Sequence, residues 1–218
     1  MKDIKVYRSM EWLRTSAFLC SLLMVIIVYP FLTESLASKL IASFLILATL
    51  AGGVAAMFSH RHALMITLAI VVLSLAVEIL PYIFPGVIYK NITYLRSCLV
   101  NLFFALLLFY YLLRVEHLSL VEIGNAVSIY LLVGLSFAYL YCFIAQIYPT
   151  AFSYPTSDKF VPQTDLVYYS FVTLTTTGYG DIHATMKITR VLSNIESIFG
   201  VFYIAVIIGK MVGTGKKV

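Results

Sequence analysis

The chain has 218 residues, 61% of them hydrophobic and only 11% charged, with a mean hydropathy of +0.97. That excludes an ordinary soluble domain, in which roughly half of the residues are apolar, and makes lipid the solvent for most of the chain. The net charge of +5 gathers into no basic run or basic–aromatic patch, so it reads as membrane topology and excludes a nucleic-acid partner.

Six spanning helices are predicted, at 14–33, 38–58, 63–84, 93–113, 124–148 and 187–212. The first follows Lys2, Lys5, Arg8 and Arg14 and lacks a small-residue cleavage pattern, so it reads as a retained span and not a signal peptide. The second carries Ala48, Gly52 and Ala56 at four-residue spacing, a stripe that lets helices approach closely. Gly52-Gly53 reads as packing, with a hinge as the alternative. The third and fourth each hold one charge at matching depth: Glu78 lies ~23 Å and Arg96 ~26 Å from the same membrane face at 1.5 Å per residue. Either they pair, or both snorkel to the headgroups. Cys20, Cys98 and Cys142 each sit within an apolar segment and read as packing residues, without a disulfide framework or zinc site.

Basic residues divide nine to six between the two sides of this topology, which places both termini in the cytoplasm. Residues 115–123 alternate in polarity and read as an interfacial connector. They divide a four-helix membrane domain, 1–118, from a second domain, 119–218. The fifth helix, 124–148, bears Tyr130, Tyr139, Tyr141 and Tyr148, which read as packing and interface residues. A polar loop follows, 149–163, with Pro155, Pro162, Asp158 and Lys159. Thr164 is expected to cap a short helix, 164–175, with Asp165 in its first turn, where a carboxylate suits the helix dipole.

The apolar stretch from Thr164 to Leu174 reaches only ~17 Å, against ~30 Å of hydrocarbon, so it must enter the membrane and turn back. Next comes Thr175-Thr176-Thr177-Gly178-Tyr179-Gly180-Asp181. Irregular backbone at that depth is tolerated only where it lines a watery path or is buried in protein. Gly178 and Gly180 can take positive φ and let successive carbonyls swing to one side, which gives a dehydrated cation oxygen in place of water.

This stretch, in its setting of outer helix, re-entrant helix and inner helix, resembles the potassium-channel selectivity filter. The resemblance is tight over 165–181 and looser from 125 to the C-terminus. It implies an all-α polytopic membrane protein of the six-helix, single-pore type, with 119–218 as pore domain, 164–175 as pore helix and 176–180 as filter. It further implies stacked rings of K+-coordinating oxygens from Thr176, Thr177, Gly178, Tyr179 and Gly180, supported by Thr175, Asp181 and the aromatic pair Tyr168 and Tyr169. One chain offers one oxygen per layer, so a homotetramer about a common axis is implied. Its partners would be K+ and the bilayer of the plasma membrane, and no cofactor beyond the ions is expected.

The sequence departs from the family in three places. Tyrosines stand where tryptophans are common, and Thr177 where valine is common. Val172 occupies a position that is glutamate in some relatives, leaving Asp181 to find another partner. The family's voltage sensors carry arginines at every third position of the fourth helix, whereas Arg96 is alone here. Each charge crossing the field yields ~2.3 kcal/mol per 100 mV, so weak or absent voltage gating is expected.

On the sixth helix, Gly200 and Gly209 are the candidate gating hinges, with close packing under the filter as the other reading of Gly200. Gly213-Thr214-Gly215-Lys216-Lys217 lacks the upstream glycine and the final Ser or Thr of a phosphate loop. No acid–base or nucleophile constellation converges, so no enzyme is expected. Two alternatives to the channel stand: a potassium uptake transporter subunit, which would repeat the helix–loop–helix unit, and a non-conducting regulatory partner.

Overall fold

A computed structural model describes residues 2–28, 31, 41, 45, 48–54, 61–83, 87–115, 119–153 and 162–214, and leaves aside the side chains of 2–10, 61–63, 78–83, 87–90 and 214. The elements are helices α1 (Lys2–Val28), α2 (described over 48–54), α3 (Arg61–Ile83), α4 (Val87–Arg114), α5 (Leu120–Ile147), α6 (Gln163–Leu174) and α7 (Lys187–Thr214), with short strands β1 (Phe152–Ser153) and β2 (His183–Ala184).

Among the described residues, four helices are long and apolar enough to cross a membrane: Glu11–Val28, Asn91–Arg114, Leu120–Ile147 and Lys187–Gly213. Of the six expected spans, the second lies largely outside the described residues. The third corresponds to α3, whose described apolar stretch is Leu64–Val77.

α5 begins four residues before the predicted start at 124, and its entry shows why. Ser119 accepts from the Val121 N–H, while the Glu122 carboxylate accepts from both the N–H and the hydroxyl of Ser119. This Ser-x-x-Glu capping box satisfies donors that the first helical turn leaves open. Residues 119–123 of the stretch read as a connector therefore already belong to the helix entry.

Packing divides the chain into two compact units, Met1–Leu73 with Phe104–Leu131, and Ser74–Phe103 with Leu132–Val218. The boundary expected at 118/119 adjoins residues 116–118, outside the described residues.

The first unit is assembled by apolar contact. Phe18 and Leu22 are fully buried, and the rings of Phe18 and Phe104 meet at 6.2 Å. A Cβ on Gly52 would fall 3.1 Å from the Phe18 Cα, and one on Gly53 would fall 2.5 Å from the Phe104 ring. Both glycines are thus accounted for by close approach.

The second unit is built around an aromatic knot. Tyr141 of α5, Phe152 of β1 and Tyr169 of α6 meet edge to face at 5.2–5.4 Å, the favoured geometry for such rings. Tyr94, Leu166, Ile182 and Ala184 bury around them.

Candidate functional site

α6 is held at both ends by backbone chemistry. Its N-cap is Pro162, at φ −57° and with no side-chain cap, and the helix starts at Gln163. Thr164 is therefore not the cap: it lies inside the first turn, its hydroxyl 3.1 Å from the Asp165 carboxylate. Proline suits this entry because its φ is preset near the helical value. At the other end the helix stops at Leu174, and Thr175 stays right-handed at φ −80°.

The chain then changes hand at alternate residues. Thr176, Gly178 and Gly180 have φ of 58°, 57° and 81°, and no other described non-glycine residue has positive φ. A Cβ at either glycine would meet nothing within 4 Å, so backbone conformation, and not space, demands glycine there. Thr176 holds the left-handed conformation against its own Cβ, at a cost of ~1–2 kcal/mol.

Three N–H groups of this loop turn back onto α6. Thr176 donates to the Thr173 carbonyl at 2.9 Å, and Thr177 and Gly178 donate to the Val172 carbonyl at 2.9 and 3.3 Å. Alternating handedness aligns successive N–H groups on one side. The Thr175 hydroxyl donates to the Phe171 carbonyl at 2.7 Å and lies 2.9 Å from the Thr177 hydroxyl. A hydroxyl has one proton, so Thr177 is the donor in that pair. The added hydroxyl of Thr177 thus has its partner within the loop.

The outer rim is tied by polar contacts and a strand pair. Asp181 accepts from the Tyr168 hydroxyl at 2.8 Å and from the Ile182 N–H at 3.0 Å. The hydrogen bond to Asp181, foremost, holds the Tyr168 phenol above its usual range. The rings of Tyr168 and Tyr179 stack in parallel at 6.4 Å, with Tyr179 71% exposed on the single chain. Phe152 pairs with Ala184 and Ser153 with His183, antiparallel. The Ala151 carbonyl accepts from the Thr185 N–H at 3.0 Å and from the Thr189 hydroxyl at 3.1 Å, and Arg190 Nε donates to the Ala184 carbonyl at 3.1 Å.

Beneath the loop, a polar seam joins α6 to α7. Tyr169 and Ser193 share a hydrogen bond of 2.6 Å, and Ser197 donates to the Thr173 carbonyl at 3.1 Å. Glu196 is fully buried. A Cβ on Gly200 would lie 2.0 Å from the Leu174 carbonyl oxygen. The close approach accounts for this glycine. Gly209 has no such neighbour, since a Cβ there would meet nothing within 4 Å.

Sequence reasoning noted Glu196 and Gly200 but passed over Ser193 and Ser197, although the four recur at helical spacing on one face of an apolar helix. The other expected contact, Glu78 with Arg96, lies outside the described residues because the Glu78 side chain does. Arg96 Nη1 donates to the Ser74 carbonyl and hydroxyl at 2.9 and 3.0 Å, and Nη2 to the Ser97 hydroxyl at 2.9 Å.

No curated protein and no solved structure matches the chain. Residues 127–216, from within α5 past the end of α7, match the family model described as ion channel. That match covers the short helix, the left-handed loop and the seam beneath it, and it supports passive ion conduction by a membrane-embedded, multi-pass protein, not a class of enzyme.

Proposed function

We propose that this chain is one of four identical subunits of a potassium-selective channel, with six membrane-spanning helices per subunit and both termini in the cytoplasm. On this reading α6 is the pore helix, residues 176–180 are the filter, and α7 lines the pore. The observation that carries it is the alternation of hand at Thr176, Gly178 and Gly180, with the N–H groups of Thr176, Thr177 and Gly178 bonded back to α6. Backbone oxygens on the opposite side are then available to replace the water of a desolvated cation. A single chain supplies one oxygen per layer, and fourfold symmetry completes each ring.

The C-terminal end of α6 adds a partial negative charge beneath the ions. Thr175 to Asp181 are exposed on the isolated chain, as residues lining an axis shared with other copies would be. Arg96 is anchored to α3 through Ser74 and is the one arginine of the described α4 interior, so steep voltage gating is not expected.

Purified protein reconstituted in liposomes tests the reading. The expected result is barium-blocked K+ flux well above Na+ flux, from a tetramer. Equal flux of the two ions, or a monomer, overturns it.

A further inference from the structure

Glu196 is a fully buried carboxyl group whose partners among the described residues are two hydroxyls. Tyr141 of α5 donates to its Oε2 at 2.6 Å, and Ser170 of α6 lies 2.5 Å from its Oε1. Ser170 is itself 2.7 Å from the carbonyl of Gly134 on α5. Three helices therefore meet at one carboxyl group, and the protons can be counted.

A serine hydroxyl carries a single proton. Were Glu196 ionised, that proton would serve either the carboxylate or the Gly134 carbonyl, and the remaining oxygen pair would face each other with lone pairs only. A buried charge without a cation would also remain, which low-dielectric surroundings disfavour. With a proton on Glu196 the count closes. Glu196 donates to Ser170, Ser170 to Gly134, and Tyr141 to the second carboxyl oxygen, giving three contacts and three protons. The titratable groups facing the cluster are Tyr141 from α5 and Tyr169 from α6. The Tyr169 ring packs on Tyr141, and its hydroxyl is engaged with Ser193.

We propose that Glu196 is held as a neutral carboxylic acid, and that in this form it is the positioning residue which locks α6 between α5 and α7 and so sets the lifetime of the conducting filter. The proposal rests on the channel reading for its last clause. The mechanical path is short. Ser170 stands one turn before Leu174, whose carbonyl abuts Gly200, and α6 also offers the Val172 carbonyl to the N–H groups of Thr177 and Gly178. A shift of α6 by a fraction of an ångström is passed directly to the filter backbone.

The test uses the full chain in liposomes, with Glu196→Gln, Glu196→Ala and Tyr141→Phe beside the wild type. Glutamine keeps the neutral acid's shape, donating to Ser170 and accepting from Tyr141. The infrared spectrum of the wild type should contain a neutral carboxylic C=O band that Glu196→Gln lacks. K+ flux, its decay and the thermal midpoint should match between those two proteins, while Glu196→Ala shortens the conducting lifetime by about tenfold. Absence of that band, or a Glu196→Gln protein as impaired as Glu196→Ala, overturns the proposal. Should the wild type carry no selective K+ flux, the channel reading fails, and the band and the thermal midpoints still decide the protonation of Glu196.

Discussion

The two compact units are held together by different kinds of force. In the first, Phe18, Phe104, Gly52 and Gly53 meet by size alone, large rings against helices with no side chain in the way. In the second, the contacts that count are directional: Tyr169 to Ser193, Ser197 to Thr173, and Tyr141 and Ser170 to Glu196. Apolar packing tolerates sliding and repacking as long as volume is kept. Hydrogen bonds in a dry interior do not, because an unmade one leaves a desolvated group behind. The unit carrying the left-handed loop is thus the one built for fixed geometry.

Substitutions can break that contrast or sharpen it. The largest effect is expected at Gly178→Ala. Holding alanine left-handed costs ~1–2 kcal/mol per chain, hence ~4–8 kcal/mol around the proposed fourfold ring, enough to abolish selective K+ flux in liposomes. Gly200→Ala comes next: its Cβ would overlap the Leu174 carbonyl, so a loss of ~1–3 kcal/mol in stability and a less selective pore are expected from thermal unfolding and flux ratios.

Gly53→Ala presses on the edge of the Phe104 ring and should cost about 1 kcal/mol of stability while leaving the K+/Na+ ratio untouched. If that ratio fell with stability, the contrast between the units would be lost. Tyr168→Phe removes the hydroxyl from Asp181 and should speed the decay of K+ current a few-fold, with selectivity kept. Gly209→Ala is the smallest, with no change in unfolding midpoint expected, because the added carbon meets no described atom of a neighbouring element within 4 Å.

What could be read from the sequence follows the same division. Four of the spans were legible from hydropathy alone, and the loop from its glycines, because both depend on properties of neighbouring residues. The ends of helices were less so. The Ser119–Glu122 capping box was hidden by the alternating polarity around it, and Pro162 took the cap expected of Thr164 because its ring presets the backbone. The partner of Asp181 was not legible, since Tyr168 precedes it by thirteen residues and only the reversal of the chain brings them together. Glu196 was visible as an acid in an apolar helix. Its role was not, because Gly134, Tyr141 and Ser170 come from two other helices.

The double use of the Ala151 carbonyl has a further consequence. By receiving both the Thr185 N–H and the Thr189 hydroxyl, it rivets the exit of α5 to the entry of α7. Two struts fastened at one end can part only at the other. Any widening of the proposed conduit should therefore grow along α7 away from the rivet and be greatest near Gly209 and Gly213, where an added Cβ would meet no described atom within 4 Å. Distances between spin labels along α7 in shut and conducting preparations should fan out in that order, and a uniform translation of α7 would contradict it.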